Sequence, residues 1–402
     1  MKFFEKGEFK LLWPFYSEAI IVQIFYLYSL FFIPYAFSIG LNLTQVGIIF
    51  SALALSSLIF EIPTGAIADI FGRKFSVVLG YVLMGTIFTA LFFTTNFYWI
   101  IVLFFLLGIS NTLQSGASDA WIVDLVKIHK KGHLVQDYYN KQTILLNGGA
   151  IISGIIGALL VKQFGLQIIW LATGFSYFIG VGLLLFGKEY FVRKKQSVKE
   201  HTKELINHTK NSLNYSRKHK VISMLLLITI ITSISFMFSS YTNWFAMFSQ
   251  LGFKDHWFGY LESVVAFFGM LVPLLNKKLV KKFGERKSFV ISLSLICLTL
   301  LSIFIFKNLV MLVIFFIIYS SLLWFYGPLR SAYFQRFIPN KMRATIGSLN
   351  QMIRSLIYII ILPLIGFMAD KIGPKNVLPI GGISLIIAII LYYRIEDKPK
   401  SL

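Results

Sequence analysis

Long apolar stretches dominate the chain, and short polar segments separate them. Runs of mainly apolar residues recur from Trp13 to Tyr393. Each run has the roughly 20 residues that a helix needs to cross a hydrocarbon layer of ~30 Å. Membrane-spanning strands would instead give shorter segments of alternating polarity. The pattern predicts helices over residues 13–38, 44–68, 75–94, 97–125, 141–162, 167–187, 221–247, 256–276, 288–306, 309–334, 343–369 and 375–393.

The twelve predicted helices form two groups of six. Residues 188–220 separate the groups and carry ten Lys or Arg with little apolar content. We therefore expect an all-α membrane protein with an N-terminal six-helix bundle (1–187), a cytoplasmic linker (188–220) and a C-terminal six-helix bundle (221–402). Residues 1–12 mix lysines with aromatic side chains, which favours a short helix at the membrane surface.

The two groups repeat one another at a spacing of about 210 residues. Two parallel repeats are typical of transporters whose binding site lies near the bilayer midplane, between the halves. The matching segments are 71–74 with 283–287, 116–119 with 327–330, and 162–165 with 370–373.

The net charge of +21 changes this picture little, because the basic residues lie in short loops between apolar runs. Thirty-two Lys or Arg fall on one predicted side and five on the other, which places both termini in the cytoplasm of a cell-membrane protein. No nucleic-acid partner is expected. The single Cys297 excludes an intrachain disulfide framework.

One motif connects predicted helices 2 and 3. Glu61, Gly65 and Asp69 are four residues apart and so share one helix face. Gly72 permits a sharp turn, and Arg73 follows it. This pattern resembles the loop motif of the major facilitator superfamily of secondary transporters. The resemblance implies a fold of two pseudo-symmetric six-helix bundles and a cytoplasmic latch formed by Gly65, Asp69, Gly72, Arg73, Lys74 and Asp124.

The ends of helices 4 and 11 extend the resemblance to a bacterial branch of drug/proton antiporters. Residues 115–124 close helix 4, and residues 343–348 open helix 11. The chain departs from that branch at Ile70, where an Arg is usual, and in helix 4, which lacks a buried Arg. Residues 150–157 of helix 5 are glycine-rich, as in the antiporter motif, but contain no Pro.

Charged residues inside the predicted helices are candidates for coupling or gating, because each costs roughly 2.5–3.5 kcal/mol if unpaired at the bilayer centre. Glu18, Asp119 and Arg330 lie near helix ends, where a side chain can also extend to water. We expect Asp119 to pair with Arg330, and Glu61 with Arg354. The candidates are Glu61, Arg354, Asp119, Arg330 and Glu262.

Polar and aromatic residues on helices 1, 4, 7 and 10 would line a substrate cavity in the family arrangement. The alternative is that they form hydrogen bonds between helices. A cavity with many aromatics and few charges would suit a moderately hydrophobic, cationic solute. The candidates are Gln23, Tyr26, Asn111, Gln114, Ser235, Asn243, Trp244, Tyr319 and Trp324.

These features favour a monomeric secondary transporter that exports a small organic molecule by alternating access, driven by protons, without a cofactor. A proton-coupled uptake symporter is the alternative within the fold. A membrane-embedded enzyme or scramblase is a third alternative. The sequence argues against an enzyme, because it offers no pair of catalytic side chains within the predicted helices. A receptor on the same fold is a further alternative. His129 and His133 lack the carboxylate or Cys neighbours of a metal site.

Overall fold

A computed structural model describes residues 4–190, 220–338 and 343–394. Within these ranges the secondary structure is helical, without strands. Most of the predicted linker, residues 191–219, lies outside the described part. Three of the twelve helices in these ranges are interrupted: α1 (Glu8–Phe25 and Tyr28–Ser38), α7 (Lys220–Phe238 and Tyr241–Gln250) and α8 (Trp257–Leu271, a 3₁₀ turn Val272–Leu275, and Asn276–Phe283). The others are α2 (Leu43–Phe71), α3 (Arg73–Phe92), α4 (Phe97–Ile128), α5 (Leu134–Phe164), α6 (Ile168–Leu185), α9 (Glu285–Ser302), α10 (Leu309–Arg336), α11 (Arg343–Ile372) and α12 (Pro374–Tyr393).

Eleven of these helices, as far as the chain is described, are long and apolar enough to cross a membrane. The twelfth, α9, has eighteen residues and begins with Glu285, Arg286 and Lys287, which leaves a shorter apolar part. All twelve predicted helices are therefore present.

The amino-terminal segment differs from the prediction. No separate surface helix precedes α1 among the described residues; instead α1 begins at Glu8 and runs on through the predicted start at Trp13. The Glu8 carboxylate is fully buried and accepts hydrogen bonds from Lys141 Nζ and Tyr16 OH. This buried ion pair draws the first helical turn against α5, so the turn continues the membrane helix.

The prediction also missed a break in α1. Helical hydrogen bonding is interrupted at Tyr26 and Leu27, and Thr173 of α6 satisfies the freed backbone groups. Its hydroxyl donates to the Phe25 carbonyl at 2.9 Å and accepts from the Leu27 N–H at 3.1 Å. A side chain that replaces the lost backbone bonds makes such a break tolerable at membrane depth.

The break in α7 is stabilised in the same way. Tyr319 of α10 donates its hydroxyl proton to the Ser239 carbonyl at 2.8 Å, and the Asn243 side chain donates to the Phe238 carbonyl at 2.8 Å. Breaks in α1 and α7 are six helices apart in the chain, which is one expression of the internal repeat.

The repeat also appears in helix ends and turns. Gly72 and Gly284 both have positive φ, 103° and 79°, and each precedes the next helix by one residue. Asn96 and Asn308 both cap a following helix by accepting a backbone N–H at 3.0 and 2.8 Å. The residues that repeat in sequence therefore repeat in conformation.

By their contacts the described residues divide into two units. The first unit comprises 4–40, 52–190 and 254–266, and the second comprises 41–51, 220–253, 267–338 and 343–394. In the first unit, α1 contacts α5 and α6, and α3 contacts α4 and α6. In the second, α7 contacts α11 and α12, and α9 contacts α10 and α12. Each helix pair thus recurs six helices later.

Candidate functional site

A polar cavity of about 310 Å³ lies inside the first unit. It is lined from α1, α3, α4, α5 and α6 and by Tyr26 at the α1 break. The structure thus brings together the four residues that the sequence nominated on helices 1 and 4. The polar lining residues are Glu18, Gln23, Tyr26, Tyr81, Asn111, Gln114, Ser115, Ser118, Gln142 and Tyr177.

Glu18 is the ionisable group of this cavity. Its side chain is buried, and its carboxylate accepts a hydrogen bond from the Tyr81 hydroxyl on α3. No basic side chain lines the cavity within the described residues. Glu18 is therefore a carboxylate without a permanent counter-ion. When such a group binds or releases a proton, the net charge of the cavity changes.

Tyr26, Tyr81 and Tyr177 line the cavity. The hydroxyl groups of Tyr26 and Tyr28 are 3.3 Å apart, and the rings of Tyr81 and Tyr177 meet edge to face with centroids 5.2 Å apart. Their rings offer apolar surface and their hydroxyls offer hydrogen bonds. The cavity can therefore hold a small amphipathic molecule.

The candidates on helices 7 and 10 lie in the second unit, and most of them contact other side chains closely. Trp244 is fully buried, with its ring centroid 5.3 Å from that of Phe316. Ser235 is hydrogen-bonded to Ser384 of α12 at 2.7 Å. Tyr319 and Asn243 bond the backbone at the α7 break, as described above. Trp324, by contrast, is 44% exposed.

The arginine candidates also lie in the second unit. Arg330 Nη2 donates to the Thr229 hydroxyl of α7 at 3.0 Å. Arg354 lies on α11, where its side chain is exposed. Both arginines stay candidates for coupling or gating.

The acidic candidates lie in the first unit and are dispersed. Glu61 is exposed on α2, and Asp119 on α4 accepts a hydrogen bond from Tyr139 of α5 at 3.1 Å. Glu262 on α8 has one buried carboxylate oxygen without a hydrogen-bond partner among the described residues. The pairings predicted for Asp119 with Arg330 and for Glu61 with Arg354 stay predictions.

The loop motif forms a second cluster in the first unit. Arg73 forms an ion pair with Asp124 and also donates to the Ala120 carbonyl at 2.6 Å, which ties the start of α3 to α4. Asp69, Arg73 and Asp124 line one cavity of about 420 Å³. Lys74 Nζ donates to the carbonyls of Leu185, the last residue of α6, and Gly187. Gly65 is exposed on α2.

Sequence reasoning missed Glu189 in this cluster. Its carboxylate accepts the backbone N–H groups of Arg73 and Lys74 at 2.6 and 3.2 Å. A carboxylate is favourable there, because the first N–H groups of a helix have no partner within the helix. A side chain on Gly72 would press against this carboxylate. Glu189 lies in the predicted linker, where three acidic residues among ten Lys or Arg gave no signal for this one.

No group of three or more metal-ligating side chains occurs in the described part of the chain. His129 and His133 make separate contacts there: His129 Nδ1 lies 2.9 Å from the Leu125 carbonyl, and His133 Nε2 lies 3.2 Å from a Glu5 carboxylate oxygen.

Comparison with known proteins bears on this architecture. The model of the Major Facilitator Superfamily matches residues 15–361. The uncharacterized MFS-type transporter YxaM of Bacillus subtilis (strain 168) is 22% identical over 377 residues, which covers 91% of each chain. A crystal structure of the D-xylose-proton symporter gives a TM-score of 0.73 at 14% identity, covering 98% of this chain and all of that one. A mutant of the nucleoside transporter NupG gives a TM-score of 0.75 at 14% identity, covering 95% of this chain and 99% of the other. At 14% sequence identity, the similarity to these two structures shows the fold of the chain.

Proposed function

Because the chain belongs to the major facilitator superfamily, we propose that it exports a small organic molecule across the cell membrane in exchange for protons. It is a multi-pass membrane transporter of the twelve-helix fold, with two pseudo-symmetric six-helix bundles. In the proposal, the bundles of residues 1–187 and 221–402 expose the binding site alternately to the two sides. Both termini are cytoplasmic, and the monomer is the working unit.

The observation that carries the proposal is the buried Glu18 carboxylate in the polar cavity of the first unit. Water stabilises the negative charge of a carboxylate. A carboxylate that is alternately exposed to water and shielded from it therefore changes its affinity for a proton. Proton binding at Glu18 is thereby linked to opening and closing of the cavity. Tyr81 donates a hydrogen bond to the carboxylate and holds it in place.

Efflux is the direction that the resemblance to drug/proton antiporters favours. An antiporter needs its substrate and proton to occupy the site in turn, and a cavity of about 310 Å³ around one carboxylate is small enough for that competition. A symporter would need both bound together. A panel of toxic compounds tests the direction: overexpression should raise resistance to some of them, whereas greater sensitivity would indicate uptake.

The proton role of Glu18 is tested by Glu18→Gln in proteoliposomes, with a compound to which overexpression confers resistance. The variant keeps the shape and the hydrogen bond to Tyr81 but cannot ionise. We expect it to exchange substrate across the membrane at a rate within a few-fold of the wild-type rate, and to lose accumulation driven by a pH gradient.

Glu61→Gln and Asp137→Asn serve as comparisons in the same assay. Asp137 lies in the first turn of α5, outside the cavity, and its variant should accumulate substrate normally. Loss of accumulation in Glu61→Gln alone would assign the proton to Glu61. Normal accumulation by a folded Glu18→Gln protein would refute the role of Glu18.

A further inference from the structure

An apolar groove of about 420 Å³ lies in the second unit, where it is lined by α8, α9 and α10. Its lining is apolar except for three serines, and each serine hydroxyl donates to a carbonyl three or four residues earlier at 2.7 or 2.8 Å. These hydroxyls are therefore satisfied, so burying them beneath a hydrocarbon chain costs little. Along α9 the lining extends from Ser288 to Leu295, or ~10 Å at 1.5 Å per residue.

The break in α8 positions the last segment of that helix, Asn276–Phe283, beside the groove. Pro273 has no N–H to continue the helical hydrogen bonds, and the chain forms the 3₁₀ turn Val272–Leu275. The turn contacts α10, and the last segment contacts α9. The Asn276 side chain also donates to the Phe325 carbonyl of α10 at 3.3 Å. The last segment is thus attached to the two helices that form the rest of the groove.

This last segment has an apolar face and a basic face. Leu279 and Phe283 are four residues apart and both line the groove. Lys278 and Lys282, also four residues apart, are exposed, and Lys282 follows Leu279 by three residues, so the two are neighbours on the helix surface. Lys282 Nζ lies 5.1 Å from the centroid of the Phe283 ring. The cation of Lys282 is therefore at the edge of the groove.

Within the described part of the chain, neither Lys278 nor Lys282 forms an ion pair. The corresponding loop of the first unit differs, because Arg73 there is paired with a carboxylate. Residues 277–287 contain six Lys or Arg and one Glu, and the charge distribution of the chain predicts that they lie on the cytoplasmic side. An apolar groove with unpaired lysines at its edge is complementary to a molecule with a hydrocarbon chain and an anionic head.

We propose that this groove, with Lys278 and Lys282, binds one anionic phospholipid of the cytoplasmic leaflet. An acyl chain lies against the apolar lining, and the two lysines donate to the phosphate. A lipid with net negative charge is preferred, because the ammonium of a zwitterionic headgroup would lie near the lysines and repel them. The site is independent of the transported solute and of the direction of transport.

Thermal unfolding of the purified, delipidated full chain in an uncharged detergent tests the proposal. The probes are phosphatidylglycerol and phosphatidylcholine with identical acyl chains. We expect phosphatidylglycerol to raise the unfolding midpoint in a saturable way, and phosphatidylcholine to need at least a tenfold higher concentration for the same rise. An equal response to the two lipids, or no response to phosphatidylglycerol, would overturn the proposal.

The lysines are tested by the double variant Lys278→Gln with Lys282→Gln. We expect it to bind phosphatidylglycerol about fivefold more weakly for each lysine removed, which corresponds to the attraction of one lysine to an anionic lipid surface. Lys127→Gln with Lys130→Gln is the matched control, since it removes two exposed lysines on the same predicted side in the first unit. Unchanged affinity in the first double variant, or an equal loss in the control, would refute the role of these lysines.

The groove itself is tested by Leu295→Trp, which places a larger side chain in the lining. We expect this variant to bind phosphatidylglycerol at least fivefold more weakly. Leu298→Trp is the matched control, because Leu298 is 62% exposed on the same helix and lies outside the lining. Unchanged lipid affinity in Leu295→Trp would overturn the proposal. If that variant also changed a dimer to a monomer in size-exclusion chromatography, the groove would instead be an interface between two copies of the chain.

Discussion

At the scale of single residues, the buried ion pair near the amino terminus has the largest expected effect on stability. The Glu8 side chain is 0% exposed and that of Lys141 is 14% exposed, and Lys141 Nζ lies 2.7 and 2.6 Å from the two carboxylate oxygens. Tyr16 OH and the Glu5 backbone N–H complete the hydrogen bonds of Glu8. The carboxylate is thus charged, buried and fully partnered.

We therefore expect Lys141→Met to destabilise the protein by about 3–5 kcal/mol, because it leaves the Glu8 charge buried without its cation. The thermal unfolding midpoint of the purified protein in detergent measures the effect. The double variant Glu8→Gln with Lys141→Met removes both charges and should recover most of the loss.

Lys10→Met is the matched control for this prediction. Lys10 also lies on α1 but is exposed, so its replacement should shift the unfolding midpoint little. Equal midpoints for wild type and Lys141→Met would show that the pair contributes no stability.

At the level of residues, the sequence nominated polar positions whose placement the structure describes, while substrate binding at them stays a prediction. The four polar residues nominated on helices 1 and 4 do line one cavity. The sequence underrated Glu18, because its distance from the helix end suggested contact with water, whereas Tyr81 reaches it from α3. Glu18 and Tyr81 are 63 positions apart. A contact over such a separation leaves no pattern in the local sequence.

At the scale of helices, periodicity predicted every helix but neither of the breaks in α1 and α7. Residues 13–38 and 221–247 are mainly apolar over their length, and a long apolar run predicts a single helix. The hydroxyls of Thr173 and Tyr319 make the breaks tolerable, and both belong to other helices. Prediction from one segment cannot include a partner that only the fold supplies.

Glycine contacts set the distance between α5 and the first segment of α8, Trp257–Leu271, in the first unit. A Cβ on Gly154 would collide with the Gly259 carbonyl, and a Cβ on Gly259 would collide with the Gly154 carbonyl. The Ser263 hydroxyl stabilises the same contact by donating a hydrogen bond to the Ile151 carbonyl at 2.7 Å. The glycine-rich run of helix 5 thus serves close helix contact, as small residues do in membranes.

We expect Gly154→Ala to force these helices apart and to cost about 1–3 kcal/mol of stability. The unfolding midpoint in detergent measures the effect. Gly148→Ala, on the same helix, is the matched control, because a Cβ there meets nothing within 4 Å. It should be neutral or slightly stabilising, since Ala favours helix over Gly. Similar losses in both variants would show that the contact with α8 is not the cause, because helix propensity alone predicts a gain from Gly to Ala.

At the scale of the whole molecule, the sequence determined the class of protein. Hydropathy and the loop motif sufficed for a twelve-helix transporter, because the bilayer demands long apolar helices in any such chain. By contrast, the contact of Arg330 with Thr229 depends on how α10 and α7 lie together within the second unit. Its sequence position alone predicted a pairing with Asp119.

The orientation of the chain in the membrane is a prediction from charge alone. The uneven distribution of Lys and Arg places the loop around Lys127 in the cytoplasm and the turn at Lys254 outside. The single Cys297 makes a labelling test simple. It is buried, and its Sγ lies 3.2 Å from the Gly382 carbonyl, so the wild-type protein should not react with a membrane-impermeant maleimide.

Lys127→Cys and Lys254→Cys each add one reactive thiol, since both lysines are exposed. In intact cells we expect the maleimide to label the Lys254→Cys protein and not the Lys127→Cys protein, and in inverted vesicles the reverse. Detergent-solubilised protein is the control, in which both thiols should react. The opposite pattern in intact cells would place the termini outside. In that case the charge distribution would reflect a function other than topology, and the basic linker of residues 188–220 would face the exterior.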